Sequence, residues 1–123
     1  MQTFRTASFV AITIIALGIT LGAEAWPSRN IRTRAIHVKA MKFRFVPNRV
    51  TVRKGQTLKL ELTSADVEHS FRISTLGMNY PIEPGKNTEV ILTPAFTEEL
   101  HADCGTFCGV GHKKMNFTID VEP

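Results

Sequence analysis

Apolar and polar positions alternate along most of this chain, with turn residues spaced roughly every ten positions. Ile36, Val38 and Ala40 alternate with polar residues; after Ala40 the parity changes, and Met41, Phe43 and Phe45 carry the apolar face. A bulge or break near Ala40 accounts for the slip, because one extra residue moves every later side chain to the other face. Val46-Pro47-Asn48 signals a turn, Val50 and Val52 form a short alternating piece, and Lys54-Gly55 closes it. Leu58, Leu60 and Leu62 alternate with Thr57, Lys59 and Glu61 until Ser64-Ala65-Asp66 interrupts the run. Val67, His69, Phe71 and Ile73 share the next face, and Pro84-Gly85 marks a further turn. Val90 and Leu92 precede Pro94; Leu100, Ala102 and Cys104 share one face, and Met115, Phe117, Ile119 and Val121 another. Strict alternation with frequent turns predicts an all-β antiparallel sandwich or barrel. Internal repeats and low-complexity tracts are missing from the sequence.

The first quarter of the chain follows a different rule. Phe9 to Gly22 is an unbroken apolar run after a short segment containing Arg5, and Ala23-Glu24-Ala25 fits a small-x-small cleavage site. This order is that of a secretory signal peptide. The competing reading is an uncleaved anchor, although a spanning helix needs about 20 apolar residues and Glu24 ends this run early. Residues 1–25 are therefore expected to be a signal peptide or N-terminal membrane anchor helix, with membrane association through residues 9–25 in the second case. Residues 26–34 (WPSRNIRTR) read as a basic linker and residues 35–123 as one domain. Either way the folded part is expected outside the cytoplasm, in the periplasm or on the outer face of the membrane.

The formal net charge of +4 conceals an asymmetry. Trp26 to Leu60 carries ten Lys or Arg and no Asp or Glu, whereas Glu61 to Pro123 carries four basic and ten acidic residues. Solvated strand faces account for this; a docking surface for an acidic protein or for anionic lipid headgroups is the sharper account. Nucleic acid is not an expected partner of an exported chain.

Candidate chemistry concentrates in Cys104-Gly105-Thr106-Phe107-Cys108-Gly109-Val110-Gly111-His112-Lys113-Lys114-Met115. Two thiols, an imidazole and a thioether fall within twelve residues, and three glycines let the backbone wrap tightly around them. Soft sulfur donors with imidazole select copper, zinc or iron–sulfur chemistry over magnesium or calcium. The simpler reading of two cysteines in an oxidising compartment is one Cys104–Cys108 disulfide. Alternation also places His69 on an apolar face, where a histidine is either a satisfied core residue or a ligand. Asp66, just before that strand, is either an ordinary turn residue or a brace for the loop through side-chain-to-backbone hydrogen bonds. His37 and His101 fall on exposed faces. Met41 and Met78 read as packing residues, and Phe107 either packs, shields the loop or couples it to a redox donor.

Asp66-Val67-Glu68-His69-Ser70-Phe71 and the whole Cys104–Met115 loop resemble the CuA-type cupredoxin domain of cytochrome c oxidase subunit II. Val50 to Gln56 and the Leu76-Gly77 to Pro84-Gly85 segment add to the likeness, which covers about residues 43–122. The resemblance implies a cupredoxin-like Greek-key β-sandwich with a binuclear CuA centre of two copper ions. Cys104 and Cys108 would be bridging thiolates, and His69 and His112 terminal ligands, one per copper. Met115 and the backbone carbonyl of Thr106 would be the weak axial ligands. Sharing one electron over two thiolate-bridged metals spreads the geometry change and keeps reorganisation small. The implied function is electron transfer from a donor such as a c-type cytochrome to an acceptor, which for a subunit is an oxidase catalytic subunit; the domain alone is not a catalyst. The alternative for the same donors is extracytoplasmic copper storage or delivery.

The chain also departs from that family. Thr106 stands where subunit II usually carries a glutamate that helps hold a non-redox metal, and Lys42-Phe43-Arg44-Phe45 replaces a tryptophan-rich segment. Pro81 replaces an acidic residue. These differences spare the copper donors and weaken the expectation of docking on an oxidase.

Overall fold

The computed structural model describes residues 32–123. The expected leader of residues 1–25 and most of the linker of residues 26–34 lie outside the described residues. Nine strands follow in order: β1 (Arg34–Met41), β2 (Arg44–Val46), β3 (Arg49–Arg53), β4 (Leu58–Ser64), β5 (His69–Ile73), β6 (Met78–Ile82), β7 (Thr88–Leu92), β8 (Glu99–Asp103) and β9 (Asn116–Glu122). Two short 3-10 turns, Ser74–Leu76 and His112–Lys114, complete the elements. Among the described residues no helix is long and apolar enough to cross a membrane.

The strands form two sheets, ordered β2-β1-β4-β7 and β3-β9-β8-β5-β6. Their facing sides hold the residues that alternation assigned to the interior: Leu58, Leu60, Leu62, Phe71, Ile73, Val90, Phe117 and Ile119 are all fully buried. Three phenylalanines meet between the sheets. Phe71 and Phe117 lie edge to face at 5.2 Å, Phe45 and Phe71 at 5.7 Å, and Phe45 and Phe117 at 6.1 Å. This geometry sets positive ring edges against negative faces and adds roughly 0.5–1.5 kcal/mol per pair beyond burial. The architecture is the all-β, cupredoxin-like sandwich anticipated from the family resemblance.

One feature differs from the pattern reading and another resolves it. The sandwich is mixed, with β1 parallel to β4 and β3 parallel to β9. Alternation reports which side of a strand is buried and carries nothing about its neighbour's direction. Of the bulge or break expected at the parity change after Ala40, the structure has the break. It is a tight antiparallel hairpin, with Ala40 opposite Phe45 and Met41 opposite Arg44, closed by Lys42 and Phe43. The chain reverses, so Ala40 and Phe45 share a face although their numbers differ in parity.

The second sheet fixes one end of the molecule. β8 lies between β5 and β9 and is antiparallel to both, so the end of β8 meets the start of β9 at Asn116 and pairs with β5 at Arg72, while the start of β5 extends beyond it. Arg72 pairs with Asp103 in register, and its guanidinium binds both carboxylate oxygens of Asp103 at 2.8 Å. β5 therefore runs three residues past that pair, which sets His69 beside the loop leaving β8.

Truncation of the shared aromatic core should be severe. Phe117→Ala is expected to lower the stability of the metal-free protein by about 3–5 kcal/mol. Ile91→Ala, at a 58% exposed position, should change it by no more than about 0.5 kcal/mol. Denaturant titration followed by circular dichroism checks both.

Candidate metal centre

Three strand ends carry the donors. His69 opens β5 and is completely buried. Cys104 directly follows β8, and Met115 directly precedes β9; both are buried, as is Cys108 in the loop between them. One ligand atom each from His69, Cys104 and Cys108 lies within 4.8 Å of the others. The Cys104 and Cys108 Sγ atoms are 3.7 Å apart, and Met115 Sδ lies 3.6 Å from Cys108 Sγ. A disulfide bond is about 2.05 Å long, so the cysteines stand as two adjacent thiols, not as the disulfide that two cysteines first suggest. Cys104 Sγ–H donates to the Thr106 carbonyl at 3.1 Å, which turns that oxygen toward the sulfurs.

His112 sits at the start of the 3-10 turn His112–Lys114 and falls outside the group that shares one 4.8 Å radius. The Nδ1 atoms of His69 and His112 are both buried without a hydrogen-bond partner among the described residues. An unmade hydrogen bond on a buried polar atom costs about 1–3 kcal/mol. Coordination would offset that at both nitrogens, which are supplied by different elements. The donors present therefore fit a soft metal: two thiols, two free ring nitrogens, one thioether and one carbonyl. His37 and His101 lie apart from this cluster, exposed and beside Glu61 and Glu99.

The second ring nitrogen of His69 is held. Its Nε2–H donates to Asp66 Oδ1 at 2.6 Å, while Asp66 also accepts the Lys42 N–H at 2.7 Å and the Val67 N–H at 2.7 Å. Burial works to raise the Asp66 pKa, but the Lys42 N–H, the His69 ring and the Val67 N–H outweigh it and hold the carboxyl at about 2. A carboxylate on the far nitrogen fixes the tautomer that leaves Nδ1 free as a donor. The sequence offered Asp66 as a turn residue or loop brace. It is a loop brace through the Val67 N–H, and its contact with His69 is the part that sequence spacing did not reveal. An Asp three residues before a buried His was the available signal.

The β1–β2 hairpin grips the other histidine. The Phe43 ring lies against Gly109 and Gly111 so closely that a Cβ at Gly111 would come within 2.5–2.9 Å of it, and one at Gly109 within 2.8–2.9 Å. Only Gly109 also needs a positive φ, at +139°. Gly111 is required for space, not for backbone freedom, which differs from the conformational role expected for the loop glycines. Phe107 meets the His112 ring edge to face at 5.2 Å, and backbone hydrogen bonds from His112 N–H to Gly109 O and from Met115 N–H to His112 O close the turn. Lys42 and Phe43 thus reach both imidazoles, one through Asp66 and one through the glycines.

Burial pushes the Cys108 thiol up to about 11, and its neighbour Cys104 adds to the shift. Without a metal the Cys108 thiol is therefore protonated at neutral pH, and binding a metal through it would release that proton.

A two-sheet sandwich that gathers soft donors at the ends of its central strands is a cupredoxin-like domain with the donor set of a soft-metal site. A family model described as the periplasmic domain of cytochrome c oxidase subunit II matches residues 19–122. Cytochrome c oxidase subunit 2 of Thermus thermophilus is 32% identical over 87 residues, which is 71% of this chain and 64% of that protein. The chain thus spans less than two thirds of that relative's length. The periplasmic domain of subunit II of cytochrome oxidase from Bradyrhizobium japonicum superposes with a TM-score of 0.65 at 20% identity, over 71% of this chain and 82% of that one. A chain of a haem-copper terminal oxidase dimer superposes with a TM-score of 0.69 at 25% identity, over 78% and 68%. The chain belongs to the family of cytochrome c oxidase subunit II periplasmic domains. Membership implies copper as the metal and a place outside the cytoplasm.

Asp66→Asn keeps the size of the side chain and weakens its hold on the ring. It should lower copper affinity about 10- to 100-fold, the usual effect of losing such a partner. Competition with a copper chelator measures this, with Glu68→Gln, one exposed residue from the ligand, expected to leave affinity unchanged.

Proposed function

We propose that this protein is an electron-transfer module with a binuclear CuA-type copper centre. One observation carries the reading: two buried, unbonded thiols 3.7 Å apart, with a thioether 3.6 Å from one of them and the buried His69 ring within 4.8 Å. Cys104 and Cys108 would bridge two copper ions. His69 and His112 would each bind one ion through Nδ1. Met115 and the Thr106 carbonyl would be weak axial donors. Copper would supply a reversible one-electron couple at this pole.

The chain's own residues supply the rest. Asp66 orients His69, and Phe43 with Gly109 and Gly111 confines the loop that carries His112. Complete burial of His69 and Met115 excludes water from those two donors. That burial favours a retained cofactor over copper handed on to another protein, since delivery requires donors that a recipient can reach. The electron donor would be a protein such as a c-type cytochrome, and the acceptor a terminal oxidase or another carrier. Residues 1–25 would export the domain or anchor it, residues 26–34 would link, and residues 35–123 would carry the centre.

Copper analysis with electron paramagnetic resonance tests this on reconstituted protein. Two copper ions per chain are expected, with one unpaired electron shared over two equivalent nuclei. One copper with a localised signal would overturn the binuclear reading. Cys104→Ser should convert the centre to a mononuclear one or abolish it, whereas Met115→Leu should keep both ions and chiefly move the reduction potential. A delocalised signal that persists in Cys104→Ser rules out bridging by that sulfur.

A further inference from the structure

We infer that Ser70 and Arg72 are positioning residues for the proposed copper centre: with Asn79 they form a seat on the outer face of the second sheet that admits only glycine at position 105. The inference rests on the binuclear reading and adds what fixes its first sulfur against its carbonyl donor. Arg72 lies opposite Asp103, the last residue of β8, and Asn79 lies opposite Arg72 on β6. Those three residues form one row across the sheet. Two residues back along β5 is Ser70, and two residues on from Asp103 is Gly105, so the same antiparallel register sets Ser70 opposite Gly105. Alternation puts Ser70 and Arg72 on the side of β5 away from His69 and Phe71.

The seat fits tightly. A Cβ at Gly105 would stand 3.1 Å from Arg72 Cδ, 3.1 Å from Ser70 Oγ and 3.2 Å from Asn79 Oδ1. Carbon in favourable contact stands about 3.5–4.0 Å from its neighbours. Asn79 is exposed, so its amide can turn away. Arg72 is less free to yield, because its guanidinium binds both Asp103 oxygens at 2.8 Å. Ser70 is enclosed at 1% exposure, and its hydroxyl has no hydrogen-bond partner among the described residues. Such a hydroxyl carries a cost in stability that an alanine would not. What it supplies is bulk against Gly105. Among the described residues, the glycines with a positive φ are Gly55, Gly77, Gly85 and Gly109. Gly105 is therefore kept for room and not for backbone freedom.

Gly105 joins two of the proposed donors. Cys104 precedes it, Thr106 follows it, and the Cys104 Sγ–H reaches across to the Thr106 carbonyl at 3.1 Å. A side chain at position 105 would lift this segment off the outer face and carry sulfur and carbonyl with it. His69 is held by Asp66 and would stay. One half of the centre would then move against the other, whereas equal sharing of an electron over two metals needs the halves to match. The weak axial donor also tunes the potential. The seat residues act by shape alone, with no bond made or broken.

Gly105→Ala, Ser70→Ala and the two together test the seat in copper-loaded protein, read by electron paramagnetic resonance, reduction potential and competition with a copper chelator. Gly105→Ala should make the two copper couplings unequal, shift the potential and lower copper affinity about tenfold. Ser70→Ala vacates space beside the new methyl, so the double variant should return toward the parent in all three readouts. Ser70→Thr presses on the same contact from β5, at a strand position that suits a β-branched residue, and should reproduce Gly105→Ala. Parent-like couplings in Gly105→Ala, or effects that simply add in the double variant, overturn the inference. The same variants without metal are compared by amide NMR. Gly105→Ala should move the signals of Cys104 and Thr106, and adding Ser70→Ala should reverse that movement; a movement that is not reversed overturns the seat. A parent chain that binds one copper overturns the binuclear reading, and the seat then stands or falls on the metal-free spectra.

Discussion

The site depends on one constraint: β8 lies antiparallel between β5 and β9. That pairing alone brings a residue at position 69 beside residues 104 to 115. No local preference of the ligand loop could do this, since His69 belongs to a different strand and a different turn. The hydrogen-bond ladder holds the strand ends, the Arg72–Asp103 pair bridges two of them at 2.8 Å, and the donors inherit their separation from the sheet. Two donors sit two residues from an aromatic ring of the core: His69 from Phe71 and Met115 from Phe117. The interlocked rings form the floor beneath the cluster.

The β1–β2 hairpin adds a second support from the opposite sheet. Its backbone N–H at Lys42 reaches Asp66, and its ring at Phe43 reaches Gly109 and Gly111. Both proposed terminal ligands are therefore held by one two-residue turn, although neither residue is a donor. This segment is also where the chain departs from the tryptophan-rich pattern of its family. A change in sequence there can alter the surroundings of the donors while leaving the donor set itself intact. Lys42 of this turn and Lys113 and Lys114 of the ligand loop are all exposed.

Much of this was legible from residue order. Alternation placed Leu58, Leu60, Leu62, Phe71, Ile73, Val90, Phe117 and Ile119 inside, since burial of one strand face leaves a period of two. The spacing of Cys104, Cys108, His112 and Met115 pointed to soft-metal chemistry before any contact was known. Strand direction was not legible, because parallel and antiparallel neighbours bury a half-exposed strand in the same way. The hairpin at Lys42-Phe43 read as a bulge or break, because a reversal and an insertion both shift parity. The grip of Phe43 on Gly111 depends on a contact across 68 positions, which no local pattern encodes.

The aromatic floor has a further consequence. Donors fixed by a packed sandwich acquire their spacing when the chain folds, before any ion arrives. The cage is finished in advance, so loading need not reorder the polypeptide. Selectivity among incoming ions then comes from a shape the scaffold imposes, and an ion that prefers a different geometry must either distort the sandwich or accept a poor fit.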